Sequence, residues 1–193
     1  MLGAYVAFEL IKRLGDQLLA LVLSVLVMAA LGALLHRSLI DRLRADNLRQ
    51  ILMTFGIMLV FGDFALLFWQ GSALMLPTPR WLDRSIEIGE ALNFPLYRLF
   101  VIVVSIVLAV LLDQMQRRTR LGAMIRAGAD DMEMLGCMGV DVRRLSMAVF
   151  GLGAALAALG GALGGVFLGV YPGADLEIGI LGFVVVIVGG LGS

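Results

Sequence analysis

Residues 146–171, SMAVFGLGAALAALGGALGGVFLGVY, form a run of 26 amino acids without one charge. A helix of about 20 mostly apolar residues is long enough to cross the hydrocarbon of a bilayer, and this run exceeds that length. The pattern recurs along the chain. Gln17 to Leu35 is uncharged up to His36-Arg37, and Ile51 to Gln70 is interrupted only by Asp63. Leu99 to Leu112 is uncharged and reaches spanning length with Tyr97-Arg98 and Asp113 to Met115 included. In lipid a backbone must satisfy its own N–H and C=O groups, so such runs fold as helices. Met1 to Ile11 and Ile178 to Ser193 are also apolar, but the first is only about 16 Å of helix against roughly 30 Å of hydrocarbon. The expected fold is therefore all-α: a polytopic transmembrane helical bundle with four complete spans and a partial span at each end. Residues 1–193 are expected to be a single transmembrane domain, incomplete at both ends.

Composition supports a bilayer as solvent, since 61% of residues are hydrophobic and 16% charged, where a soluble domain carries about 25% charged residues. Fifteen basic against fifteen acidic residues exclude a generally basic, nucleic-acid-binding chain. The single Cys137 cannot form an internal disulfide and suits a reducing compartment. Met1 to Phe8 lacks the basic start and small-residue cleavage site of a signal peptide. Orientation follows from the arginines. Loop 36–50 carries four and loop 116–145 carries six, whereas the alternate segments hold five basic residues, Lys12, Arg13, Arg80, Arg84 and Arg98. The arginine-rich set is therefore predicted to be cytoplasmic. Trp69, Trp81, Tyr97 and Tyr171 fall near the opposite interface, where aromatic rings concentrate. On that side, segment 71–96 contains SIEIGEALNF. Ile86 and Ile88 followed by Leu92 and Phe94 about Gly89-Glu90 suggest a small β-hairpin, and Pro77 and Pro79 argue against a helix before it.

Catalytic chemistry has little to work with. His36 is the single histidine and Lys12 the single lysine, so neither a histidine-based metal cluster nor a P-loop is available. Ser193 has no base placed to activate it. No catalytic or metal-binding residue is assigned. Asp63 is costly within a span and has two readings: a substrate pathway, or a buried and satisfied packing residue. Asp113 is one turn before Arg117 and predicts an i,i+4 pair; Glu177 opens the last segment, where an acid favours a helix N-terminus. Gly153, Ala157, Gly161, Gly165 and Gly169 recur every four residues, a helix-packing stripe that lets another backbone approach closely.

The most polar passage is 117–144, with ten charges in an otherwise oily chain. Within it, ADDMEML reads as a helix start: Asp130 as N-cap, Glu133 three residues on as in a capping box, and Gly139 as the stop. Met132, Met134, Leu135 and Met138 give this short helix a flexible, polarizable surface suited to bedding into another protein. It is either a docking element or a helix resting on the membrane surface.

RRTRLGAMIRAGADDMEMLGCMGVDVRRL (117–145) resembles the cytoplasmic loop of the permease subunit of branched-chain amino-acid ABC transporters, and FGLGAALAALGGALGGVFLGV (150–170) resembles its next helix. VVVIVGGLGS (184–193) and GAYVAF (3–8) are similar to further segments of that family, and the resemblance is weakest across 71–96. The family's loop carries an E-A-A-x-x-x-G signature. Glu133 and Gly139 stand at its spacing, while Met134 and Leu135 replace the alanines. The resemblance implies a prokaryotic inner-membrane channel subunit for branched-chain or related amino acids, amides or urea. Residues 116–145 would be the cytoplasmic coupling loop, with Asp130, Asp131, Met132, Glu133, Leu135 and Gly139 contacting the ATPase. It further implies a second permease subunit, cytoplasmic ABC ATPase subunits that bind the ATP, and a periplasmic substrate-binding protein; no cofactor belongs to this chain. The residues alone leave open an ion-coupled secondary transporter, which would want coupled intramembrane ionisable groups, and an intramembrane enzyme, which the missing catalytic set opposes.

Overall fold

The structure is a computed structural model that describes residues 1–43, 47–69, 75–77, 85–87, 93–171 and 173–189. Its helices are α1 (Leu2–Leu14), α2 (Gln17–Ser38), α3 (Asn47–Trp69), α4 (Leu96–Arg118), α5 (Arg120–Asp130), α6 (Met132–Cys137), α7 (Val142–Leu168) and α8 (Ala174–Gly189). A 3-10 turn, Ile40–Leu43, follows α2. The fold class is the one the sequence predicts. Among the described residues four helices, α2, α3, α4 and α7, are long and apolar enough to cross a membrane, and α8 is a shorter apolar helix.

The chain divides into two compact units, one made of residues 1–76 and 143–193, the other of residues 77–142. In the first, α1 runs past the expected limit at Ile11 to Leu14, because Glu9 and Arg13 pair across one turn at 3.1 Å and keep the polar end helical. Gly15, in the left-handed conformation, ends α1, and Asp16 immediately caps α2 by accepting from the Leu18 amide. The core of this unit gathers Ala4, Tyr5 and Ala7 of α1 with Leu76, Ala162 and Val170. Tyr5 stacks on Trp69 at 4.6 Å between ring centroids.

Small residues set how closely these helices approach. A Cβ at Gly3 would lie 2.5 Å from the Ala158 Cα, and one at Gly32 would lie 2.5 Å from the Ala154 Cβ. Gly151 meets the Ala29 carbonyl of α2. The face of α7 that packs is thus Gly151, Ala154, Ala158, Gly161 or Ala162, and Gly165, spaced by three and four. The predicted stripe is only partly this face. Gly161 and Gly165 lie on it, but Gly153 and Ala157 are exposed, nothing lies within 4 Å of a Cβ at Gly153, and Gly169 falls beyond the helix at φ 68°. At about 100° per residue a strict four-residue repeat turns roughly 40° per step, so the stripe winds off the packed face within two steps.

In the second unit, β1 (Ser85–Glu87) and β2 (Asn93–Pro95) pair antiparallel, with Ile86 opposite Phe94. This is the expected hairpin; the turn about Gly89-Glu90, and Ile88 and Leu92, lie outside the described residues. Asp113 and Arg117 form the predicted i,i+4 pair at 2.7 Å on α4.

Candidate functional site

The segment 119–142 is built by two successive caps. Thr119 ends α4 and caps α5, its hydroxyl oxygen accepting from the Gly122 amide at 3.1 Å. Arg126 donates from its guanidinium to the Gln116 carbonyl, folding α5 back on the end of α4. Asp131 then does for α6 what Asp130 was expected to do. Its carboxylate accepts from the Glu133 and Met134 amides at 2.9 and 3.0 Å, while Asp130 is the last residue of α5. The one-residue shift has a local cause. α5 stays helical through Asp130, the Asp131 amide still bonds the Ala127 carbonyl at 3.0 Å, and the backbone turns extended only at Asp131, φ −153°. Glu133 therefore stands at the second helical position, one short of the position that closes a capping box, though still in the first turn, where an acid complements the helix dipole.

α6 spans six residues and stops at Met138, whose amide bonds the Met134 carbonyl at 3.1 Å. Gly139 follows with φ 83°, and its amide bonds the Gly136 carbonyl at 3.0 Å. That is the left-handed stop the sequence predicts. Leu135 is 4% exposed and fastens the helix, while Met132, Met134 and Met138 are 48%, 63% and 77% exposed. Asp131, Met132, Glu133, Leu135 and Gly139 are thus brought together on one short element, with Asp130 on the helix before it. The element presents thioether side chains outward.

The second candidate is a cavity of about 480 Å³ within the first unit, walled by α1, α2, α3, α7 and by Tyr171, Gly173 and Leu176. Its wall is mostly apolar, with Met28, Met58, Phe61 and Phe150 among the large side chains. Polar side chains on it are Tyr5, Thr54, Asp63 and Tyr171, of which only Asp63 is a carboxylate. Thr54 donates back to the Ile51 carbonyl at 2.9 Å. Along α3 the lining runs from Thr54 to Leu66, about 18 Å at 1.5 Å per residue. Thr54, Met58, Phe61 and Ala65 are the half-buried stripe of that helix, and Asp63 is exposed, roughly 170° round from the stripe at about 100° per residue. Asp63 borders the cavity but lies off the half-buried side of α3 that forms most of its wall. Near the middle of the otherwise uncharged run by sequence, it lies toward one end of α3, six positions from Trp69 at the helix end.

Tyr171 closes one end of the wall, donating its hydroxyl to Glu177 at 2.6 Å. That hydrogen bond, with slight desolvation and the charge of the carboxylate, raises the Tyr171 pKa above 10.0. Glu177 is in the first turn of α8, which begins at Ala174. His36 is buried on α2, its ring 5.6 Å from that of Phe150. No group of three or more metal-binding side chains occurs among the described residues. Some pairs among the described residues escape sequence reading. Tyr171–Glu177 joins residues six apart across a turn, and Arg143 pairs with Asp41 across about a hundred residues; neither has a helical spacing to announce it.

A family model described as the permease component of a branched-chain amino acid transport system matches residues 1–193. The high-affinity branched-chain amino acid transport system permease protein BraD of Pseudomonas aeruginosa is 28% identical over 208 residues, covering 100% of this chain and 67% of its own length. The corresponding permease protein LivH of Salmonella typhimurium is 27% identical over 209 residues with the same coverage. LivH of Escherichia coli K12 is 36% identical over 78 residues, 40% of this chain and 25% of that protein. No solved structure matches the chain.

Proposed function

The chain belongs to the family of branched-chain amino acid transport permeases, and from that membership we propose that it is a channel subunit of an ATP-binding-cassette importer. In this reading it sits in the inner membrane of a prokaryote and pairs with a second permease subunit. A periplasmic binding protein delivers a branched-chain or related amino acid, and cytoplasmic ATPase subunits bind and hydrolyse the ATP. The observation that carries the reading is α6: an Asp131-capped helix with Glu133 and Gly139 at the signature spacing, a left-handed glycine at its end, and methionines turned outward. Such a surface supports docking against another protein, since exposed thioether side chains gain from burial and adapt to a partner's shape.

The cavity is the proposed stretch of substrate path within this subunit. Its apolar wall suits an aliphatic side chain, and in this reading Asp63, which borders the cavity, meets the ammonium group of the substrate entering or leaving. A carboxylate at that depth in a span is expensive unless it faces a partner or a wet path.

The test is reconstitution of the chain with its partner permease, ATPase and binding protein in liposomes. Uptake of radiolabelled leucine that requires ATP inside and binding protein outside supports the reading. Uptake that persists without nucleotide and collapses with an ionophore would instead favour ion-coupled secondary transport.

A further inference from the structure

Asp41 and Arg143 form an ion pair between the 3-10 turn that follows α2 and the second residue of α7. The two ends are unequal: the Asp41 side chain is 9% exposed and the Arg143 side chain 61%. Pairs between two exposed groups contribute little to stability. A nearly buried carboxylate is different, because its attraction to the cation is screened by solvent far less than that of an exposed pair. The pair is not an isolated contact. Ile40, beside Asp41, is 2% exposed, and Leu145, two residues past Arg143, is 7% exposed. Further along, Phe150 meets His36, Gly151 meets the Ala29 carbonyl, and Ala154 fits against Gly32. The first three turns of α7 are therefore laid along the second half of α2, and Arg143–Asp41 is the clasp at the end of that seam. Along the chain Arg143 is also four residues from Gly139, the stop of α6.

We propose that the Asp41–Arg143 pair is the positioning contact through which a displacement of the 131–139 element is delivered to α2 and α7 together, so that it sets the coupling of ATP hydrolysis to uptake. This rests on the reading of α6 as the ATPase-docking element. The four backbone steps from Gly139 to Arg143 leave little slack: fully extended they span at most about 14 Å. With the clasp intact, a pull on α6 is taken up by α7 and by the turn after α2 as one body, and both helices wall the cavity. With the clasp open, the first turn of α7 can fray and absorb the same displacement without moving α2.

The experiment compares Arg143→Gln, Arg143→Lys, Asp41→Asn and the parent chain in liposomes with the partner permease, ATPase and binding protein. Radiolabelled leucine uptake and phosphate release are both measured and normalised to assembled complex. Arg143→Gln and Asp41→Asn are expected to lower leucine taken up per ATP hydrolysed by about two- to thirty-fold, the range of single-residue effects on coupling between sites. Arg143→Lys, which keeps the charge, is expected to restore most of the ratio. A merely structural role predicts otherwise: fewer assembled complexes, each with the parent ratio. That result, or equal losses in the Lys and Gln variants, overturns the inference and leaves the importer reading standing. A parent complex in which leucine uptake needs no ATP overturns that reading, and this inference with it.

Discussion

Gly139→Val isolates a single physical term at the end of α6. Gly139 holds φ 83° and nothing lies within 4 Å of where its Cβ would be. A side chain there meets open space, so the whole cost is conformational: roughly 1–2 kcal/mol for a residue forced left-handed, at the upper end for valine, whose branched Cβ restricts it further. That is comparable to what holds the element, because α6 has only six residues and the Asp131 cap contributes about 1 kcal/mol. A helix this short does not persist on its own propensity. The ordered end of α6 should thus become roughly five- to thirty-fold less populated, while the spanning helices are untouched. We expect normal membrane insertion, weakened retention of the ATPase when the complex is purified, and leucine uptake reduced per ATP hydrolysed. Gly139→Asn is the control, since asparagine tolerates the left-handed region and should retain most of both activities. Purification through the permease, with bound ATPase quantified, reads the first effect, and liposome uptake reads the second. Parent-level ATPase retention and uptake in Gly139→Val would refute the assignment of α6 as a docking element, as would equal damage from valine and asparagine.

Asp63→Asn should lower leucine uptake per assembled complex while leaving expression and assembly near the parent level; unchanged uptake per complex would remove Asp63 from the path. Gly32→Val should cost about 1–3 kcal/mol in the solubilised protein through overpacking against Ala154, whereas Gly153→Val should stay within about 0.5 kcal/mol. Thermal unfolding in detergent compares them, and similar losses at both positions would contradict the packed face of α7 described above. The Tyr171 phenol is raised above 10.0 by its bond to Glu177, so the neutral form is favoured in the fold. That contribution is complete below pH 10 and is lost only as pH climbs through the raised value. Ultraviolet titration of parent against Tyr171→Phe should place the midpoint above 10.0, and Glu177→Gln should bring it down; an unmoved midpoint in Glu177→Gln would show that the bond is not the cause.

Hydrophobic run length alone determined the class of this protein and its four spans, because a bilayer imposes helix and a minimum length on any uncharged run it holds. Local spacing also carried the Asp113–Arg117 pair, the hairpin pairing of Ile86 with Phe94, and the stop at Gly139, each fixed by residues near one another in the chain. The same local rules missed by one residue at Asp130, since two adjacent aspartates can both cap, and only the continuation of α5 selects Asp131. Tertiary structure decided the rest. Which small residues of α7 pack depends on where α1 and α2 come to lie, and a strict four-residue repeat cannot follow a helix of 3.6 residues per turn. That Asp63 lies off the half-buried stripe of α3 depends on which side of α3 faces the other helices, a choice that an almost uniformly apolar helix leaves unwritten in its own sequence. Arg143 reads locally as one more cytoplasmic arginine. Its pairing with Asp41 exists only because the start of α7 and the end of α2 converge in space, and no spacing along the chain encodes that convergence.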